Sequence, residues 1–184
     1  MFITSRIDKE KLKEFSTLSI ITGIIMVMAG FLAIIYPQVA SVAFVIVLGA
    51  TFIASAIVQG FLAIKAHEKS IGVWVKVIIL FVTGLLLLLW PAEGVAALAI
   101  LFAAYFFVDA FGSFAMALDL KPLKGWWLAL VNGMLSFILG VIMIIGWPIT
   151  SFITVGIVVG VSFLMDGIVL IYLGILAKKG AYDS

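Results

Sequence analysis

The sequence is notable first for what it has little of: it contains no cysteine, one histidine and few charged residues. Without cysteine the chain has no disulfide framework, no thiol nucleophile and no thiolate metal site. With His67 alone, it lacks the histidine pair of a typical catalytic zinc site. Charged residues make up 11% of the chain, against roughly 25% in a soluble domain. This scarcity of charge argues against a water-soluble protein.

What the chain has in abundance is apolar side chains, which account for 66% of its 184 residues. A domain of this size cannot hide such a fraction in one core, because it still exposes much of its surface. No hydrophilic stretch is long enough for a catalytic or nucleotide-binding domain, and no Gly-rich loop opens a helix after a strand. We therefore expect no enzyme, no cofactor, no metal site and no nucleic acid partner, and we expect a lipid bilayer around the chain.

Six apolar runs reach the length of about 20 residues that a membrane-spanning helix needs. Strands of a membrane barrel are only about 10 residues long and alternate in polarity, so the sequence predicts an all-α integral membrane protein. We predict an amino-terminal segment over 1–14, one membrane domain over 15–177 and a tail over 178–184. The predicted spans are Phe15–Tyr36, Gln38–Ile64, Val73–Trp90, Glu93–Leu118, Trp127–Trp147 and Ile149–Ala177.

An aromatic residue followed by proline ends three of these runs, at Tyr36-Pro37, Trp90-Pro91 and Trp147-Pro148. Proline cannot continue a helix but suits the first position of the next one. Aromatic residues are typical anchors at a membrane interface. Each pair therefore predicts a tight turn at one membrane face.

The basic residues predict the orientation of the spans. All 11 Lys and Arg lie before the first span, after the last one, or near the loops around residues 65–76 and 119–125, and none lies at a proline turn. By the positive-inside rule, both termini and these loops are cytoplasmic. We therefore expect a multi-pass membrane protein with both termini in the cytoplasm.

The prolines also reveal an internal repeat. Gly30 and Gly84 lie seven residues before their prolines, and Gly140 lies eight before its own, which indicates one inserted residue in the third unit. We predict three tandem helical hairpins, at about 15–64, 73–118 and 127–177, inserted in parallel. A pseudo-threefold six-helix bundle is the simplest architecture, and a row of hairpins is the alternative.

Small residues on the first and last spans predict close helix packing. Lipid gives helices little hydrophobic reason to associate, so residues that let backbones approach mark their contacts. The last span carries Gly156, Gly160, Gly167 and Gly174. We favour intramolecular packing for this stripe, while a homo-oligomer or a membrane-protein partner remains open.

The repeat also aligns polar residues near the cytoplasmic side of the membrane. At about 1.5 Å per residue, they lie roughly 23–27 Å from the proline turns. The hairpins would pair Thr22 with Ser55, Lys76 with Asp109 and Asn132 with Asp166, with Gln59 extending the layer. The candidate polar layer is thus Thr22, Ser55, Gln59, Lys76, Asp109, Asn132 and Asp166. The candidate packing and turn residues are Gly30, Pro37, Gly84, Pro91, Gly140, Pro148, Gly156, Gly160 and Gly167.

Ionisable residues within a bilayer are costly and point to function by default. A pair between Lys76 and Asp109 would fix the register of a hairpin, which we favour over an ion or proton pathway. Asp166 has no aligned cation, only Asn132 and its helix neighbour Ser162. We therefore single out Asp166 as the candidate proton-sensing group.

The spacing of these motifs resembles the HdeD-type acid-resistance membrane proteins. The resemblance is carried by Gly23 to Pro37, Gly84 to Pro91 and Asn132 to Pro148, and extends from about residue 15 to residue 177. It implies a small prokaryotic inner-membrane protein, associated in some members with survival of acid stress. It brings no catalytic residues and no cofactor.

Two functions remain open at this point. The first is a non-enzymatic membrane protein that contributes to acid or envelope stress tolerance. The second is a small channel or transporter for protons or a small solute, acting through Lys76, Asp109 and Asp166. An apolar barrier on the proline-turn side of the polar layer would favour the first.

Overall fold

In a computed structural model of the chain, all regular secondary structure is helical within the residues described, which are 2–67, 69–122 and 125–183, with side chains described between residues 14 and 178. Within these ranges, six helices are each long and apolar enough to cross a membrane. The predicted all-α class with six membrane-spanning helices is confirmed. The helices are α1 (Phe2–Ile35), α2 (Pro37–Lys65), α3 (Ile71–Leu89), α4 (Pro91–Asp119), α5 (Trp126–Ile144) and α6 (Ser151–Asp183).

The first two proline turns are as tight as predicted. Only Tyr36 separates α1 from α2, and only Trp90 separates α3 from α4. Pro37 and Pro91 are the first residues of the helices that follow. Proline is favoured there because a backbone N–H at the first position of a helix has no acceptor within the helix. Proline, which lacks the N–H, therefore loses no hydrogen bond.

The third proline turn differs from the other two, and the prediction of three equivalent turns is wrong at this point. α5 ends at Ile144 and α6 begins only at Ser151, so Pro148 lies within the turn and not at the first position of a helix. Gly146 has a φ of 77°, in the left-handed region that favours glycine. The inserted residue of the third unit therefore lengthens the turn and not the helix.

Small residues form the buried part of the chain, and large apolar side chains lie on its surface. Val45, Val95, Ala99 and Ala110 are completely buried. In contrast, Val108 is 73% exposed, and many Leu, Ile and Phe side chains are also exposed. A surface of this kind would be an extensive apolar patch in water, whereas it is suited to hydrocarbon.

The chain divides into two compact units, of which the first comprises Met1–Ala40 and Gly156–Ser184. In it, α1 and α6 pack glycine against glycine. A Cβ atom placed on Gly23 would lie 2.7 Å from the carbonyl oxygen of Gly167, and one on Gly30 would lie 2.7 Å from that of Gly160. Only glycine permits such a close backbone approach. The packing role predicted for Gly30, Gly160 and Gly167 is therefore intramolecular.

Two further contacts extend the packing within this first unit. Ser16, which is 2% exposed, donates a hydrogen bond from its Oγ to the carbonyl oxygen of Gly174 at 2.7 Å. Gly156 lies directly against the carbonyl group of Pro37. The predicted glycine stripe of the last helix thus contacts residues of the same chain.

The second unit comprises Ser41–Val155. In it, α2 packs against α3, where a Cβ atom on Gly84 would lie 2.8 Å from the carbonyl oxygen of Gly49. α4 packs against α5, where Ala103 faces Gly140 and Ala110 faces Gly133. Gly94, in the first turns of α4, lies against Val45 of α2.

The three helix pairs follow one rule when residues are counted from the proline of each repeat unit. The glycine that precedes each proline faces the small residue 12 positions after another proline. Thus α3 packs on α2 and α5 packs on α4, the second helix of the preceding hairpin in each case, while α1 packs on α6. The facing pairs are Gly30 with Gly160, Gly84 with Gly49, and Gly140 with Ala103.

Candidate functional site

The contact between α4 and α5 brings polar side chains together because small residues let the two backbones approach. A Cβ atom on Gly133 would lie 3.1 Å from the carbonyl oxygen of Ala110 and 2.7 Å from the ring of Phe114. At this distance, short side chains on either side of the glycine can reach the facing helix.

A carboxylate lies at the centre of this contact. Asp109 of α4 accepts hydrogen bonds at its Oδ2 atom from Ser136 Oγ at 2.5 Å and from Asn132 Nδ2 at 3.3 Å. Asn132 Nδ2 also donates to Ser113 Oγ of α4, at 2.9 Å. We call these four residues, Asp109, Ser113, Asn132 and Ser136, the Asp109 cluster.

The burial of the cluster is uneven. Ser136 is 6% exposed and Asp109 is half-buried, whereas Asn132 is exposed. The short Ser136 hydrogen bond is therefore the protected part of the cluster, and Asn132 lies nearer its edge. A hydrogen bond to a charged acceptor is stronger than one between neutral groups, and shielding from water strengthens it again.

The described partners of Asp109 are neutral. α5 contains no ionisable side chain, and Lys76, the ionisable residue of α3, is exposed. Among the side chains between residues 14 and 178 that the structure describes, none forms an ion pair with Asp109.

The partners of Asp109 and Asn132 differ from those predicted. Asn132 donates to Asp109 and Ser113, whereas the sequence predicted Asp166 as its partner. The predicted pair of Lys76 and Asp109 is also wrong, because Asp109 bonds to α5. The physical reason is that a proline turn determines where one helix ends and the next begins along the chain, whereas small residues determine which helices pack against each other.

The rest of the predicted polar layer is not gathered into this cluster. Ser55 and Gln59 are half-buried on α2, and Thr22 and Asp166 are exposed on α1 and α6. Of the seven predicted residues, the structure therefore brings Asp109 and Asn132 together. A functional role for the other five stays a prediction.

Two members of the cluster, Ser113 and Ser136, were missed in the sequence. Each lies four residues after a predicted member, since Ser113 follows Asp109 and Ser136 follows Asn132. Residues four apart share one face of a helix. That spacing was one available signal, and for Ser113 the repeat was another, because Gln59 occupies the equivalent position 22 residues after Pro37.

The same pair of helices is apolar on the proline-turn side of the cluster. There α4 and α5 present Ile100, Ala103, Phe107 and Met143 around a cavity of about 390 Å³. The rings of Phe107 and Phe137 meet edge to face with their centroids 5.6 Å apart. The side chains beside the polar cluster are therefore apolar between these two helices, and the expected barrier stays a prediction.

As for metals, the described residues include no group of three His, Asp or Glu side chains that could hold an ion. Asp109 is the single carboxylate of the cluster, and its other three members are neutral. The cluster is thus a polar contact between two helices that contains one carboxyl group.

The comparison with family models yields one family, described as a short repeat of unknown function (DUF308). Its model matches three times, at residues 21–79, 77–145 and 142–183, and each match includes one aromatic-proline pair. The predicted threefold repeat is therefore confirmed. No curated protein and no solved structure matches the chain. Since the matches span most of its length, the chain belongs to the short-repeat family DUF308.

Proposed function

We propose that this chain is a non-enzymatic membrane protein that contributes to acid or envelope stress tolerance, as its resemblance to HdeD-type proteins implies, with Asp109 as its proton-responsive group. The observation that carries the proposal is the hydrogen bonding of Asp109, a carboxylate placed between two membrane-spanning helices and held by Ser136 and Asn132. This replaces Asp166, which is exposed, as the leading proton-sensing candidate.

Protonation would change the contact between α4 and α5 directly. In its charged form, Asp109 accepts from two donors at one oxygen atom. Once protonated, it loses the charge that strengthens these bonds and gains an O–H that needs an acceptor. The polar contact between the two helices would then rearrange, so that acid would change the packing of α5 against α4.

The absence of native cysteine allows a clean test of this response. Cysteines replacing Leu118 on α4 and Leu128 on α5, which are 71% and 57% exposed, can carry spin labels in the protein reconstituted in bilayers. We expect the distance distribution between the labels to change on acidification in the parent and in Asp166→Asn. We expect no such change in Asp109→Asn. A distance that is independent of pH in the parent would refute Asp109 as the responsive group.

The physiological part of the proposal needs a separate measurement. In cells that lack the gene, the parent gene should restore survival after an acid challenge. Survival should be lower with Asp109→Asn than with the parent when both proteins are present in the membrane at equal abundance. Equal survival with and without the parent gene would reject the role in acid tolerance while leaving the pH response of the helix pair to stand on the distance measurement.

The proposed location is the cytoplasmic membrane of a prokaryote, with both termini in the cytoplasm. It is supported by the distribution of the 11 basic residues, which avoid the proline turns. Reporter fusions after Ser184 and within the turn around Gly146 should give opposite signals for cytoplasmic and external exposure. The same signal at both places would overturn this topology.

Transport is the second candidate, because a carboxylate within a membrane-spanning pair is also what a proton pathway requires. The edge-to-face contact of the Phe107 and Phe137 rings favours a closed contact over a water-filled path. We expect proton flux in liposomes carrying the parent, Asp109→Asn or Asp166→Asn to equal that of empty liposomes. Flux in the parent that is lost in Asp109→Asn would establish transport instead.

A further inference from the structure

The apolar cavity between α4 and α5 is a feature that the proposed function does not use. Ile100, Ala103, Ala104 and Phe107 of α4 line one side, and Met143 and Trp147 line the other. Ile100 and Trp147 are 49% and 46% exposed, so the cavity is open at its rim. At about 390 Å³ it falls within the usual size of a ligand site, roughly 300–1,000 Å³.

The cavity exists because the pair α4·α5 departs from the other two pairs in two ways. The first is Ala103, whose counterparts Gly49 and Gly160 have no Cβ. A Cβ atom on Gly30 or Gly84 would lie 2.7 or 2.8 Å from the facing carbonyl oxygen, but one on Gly140 would lie 3.4 Å from that of Ala103. At the same register, α4 and α5 are therefore held further apart than the other two pairs.

The second departure is the longer third turn. α3 continues to Leu89, next to its aromatic-proline pair, and Leu87 and Leu88 fill the space against Gly49. α5 ends at Ile144, three residues before Trp147. The helical turn that packs against the facing helix in the second unit is thus replaced by irregular backbone in the third.

Trp147 is held in place over this space by a hydrogen bond. Its indole Nε1 donates to the carbonyl oxygen of Ala96 on α4 at 2.9 Å. Tryptophan combines an apolar ring with one polar group, and the bond satisfies that group. The ring is therefore fixed as an apolar wall of the cavity.

The surroundings at this depth identify the occupant. Ile100 to Phe107 lie 9 to 16 residues after Pro91, or roughly 14–24 Å along the helix from the proline turn. This places the α4 wall of the cavity within a hydrocarbon core about 30 Å thick, while Trp147, next to Pro148, places the other end of the cavity at the proline turn. Because the cavity is open at its rim and its walls are apolar, acyl chains of the surrounding lipid have direct access to it.

We propose that this cavity is a binding site for one acyl chain of a phospholipid from the leaflet on the proline-turn side. The chain enters past Ile100 and lies against the ring of Trp147, with Ala103 and Ala104 leaving room for it. The pair α4·α5 thereby carries a lipid site that the tighter pairs α1·α6 and α2·α3 have no space for.

Tryptophan fluorescence tests the site in intact protein. One variant keeps Trp147 as its only tryptophan, and a second keeps only Trp90, its counterpart in the second unit; Phe replaces the others in each. Both are reconstituted in phosphatidylcholine vesicles with an increasing fraction of phosphatidylcholine brominated on one acyl chain, since bromine quenches tryptophan on contact. Trp90 is 54% exposed and Trp147 is 46% exposed, so surrounding lipid alone would quench Trp90 at least as well.

We expect Trp147 to reach half-quenching at a several-fold lower fraction of brominated lipid than Trp90. Ala104→Phe, which fills the cavity, should raise that fraction to the Trp90 value. The matched control is Ala50→Phe at the equivalent exposed position of α2, which should leave Trp147 quenching unchanged. Unchanged helix content in circular dichroism verifies folding. Equal quenching of Trp147 and Trp90, or no effect of Ala104→Phe in folded protein, would overturn the site.

Discussion

The pairs α1·α6 and α4·α5 occupy the same register of the repeat and are built differently. In α1·α6, Gly23 and Gly30 face Gly167 and Gly160, and the backbones themselves are in contact. In α4·α5, alanines face the glycines, and the separation is larger where Ala103 meets Gly140.

The difference in spacing decides what each pair can hold. The wider pair accommodates the rings of Phe107 and Phe114, the hydrogen bonds of Asp109 and an apolar cavity. In the tighter pair, the aligned carboxylate Asp166 is exposed. One repeated framework therefore yields a pair specialised for packing and a pair with room for chemistry.

The largest effect is expected from adding one methyl group to the tighter pair. In Gly167→Ala, the new Cβ would lie 2.7 Å from the Gly23 carbonyl oxygen and 2.9 Å from the Val27 nitrogen, both backbone atoms. Since backbone cannot move aside as a side chain can, we expect a loss of about 1–3 kcal/mol in the free energy of unfolding. Reversible unfolding in mixed detergent micelles would measure it.

The control for this change is Gly112→Ala, because a Cβ atom there would meet nothing within 4 Å. It should leave the free energy of unfolding unchanged or slightly increased, given the better helix propensity of alanine. Equal losses in both variants would mean that the close glycine contact of α1 and α6 does not limit stability.

The next effect concerns the polar contact of the wider pair. A double-mutant cycle with Asp109→Asn and Ser136→Ala should give a coupling of about 1–2 kcal/mol in the free energy of unfolding, because the bond is buried on the Ser136 side and its acceptor is charged. The matched control is the cycle in which Ser162→Ala takes the place of Ser136→Ala, since Ser162 is exposed and donates to Val158 of its own helix. A coupling near zero between Asp109 and Ser136 would remove the cluster as a link between α4 and α5.

A smaller effect is expected at the third turn. Trp147→Phe keeps an aromatic ring but removes the Nε1 donor to Ala96. We expect a loss of about 0.5–1.5 kcal/mol in the free energy of unfolding. Trp90→Phe in the second unit serves as the comparison. A larger loss for Trp90→Phe would contradict a special anchoring role of Trp147.

The smallest effect is expected when the methyl group is added to the wider pair. In Gly140→Ala, the Cβ would lie 3.3 Å from the Phe107 ring and 3.4 Å from the Ala103 carbonyl oxygen. A ring can shift by the few tenths of an ångström required, so we expect a change within about 1 kcal/mol. If Gly140→Ala costs as much as Gly167→Ala, the two pairs are equally tight and the comparison fails.

The sequence was sufficient to predict the number of helices, their approximate ends and the repeat, because these depend on local properties. Apolar length, proline and glycine positions act on the residues next to them. The depth of Asp109 and Asn132 was also predictable, since helix rise converts residue number into distance. Their contact was not, because hydrogen bonding across helices depends on which helices pack together.

The one inserted residue in the third unit illustrates the same division. The sequence alone placed it between Gly140 and Pro148. Only the tertiary structure decided that it ends α5 early, places Trp147 over α4 and opens a cavity beside Ala103. Composition and local spacing thus determined six spans in three repeats. The partner of each helix was decided in three dimensions, where backbone approach at small residues selects the pair and then the side chains that can meet.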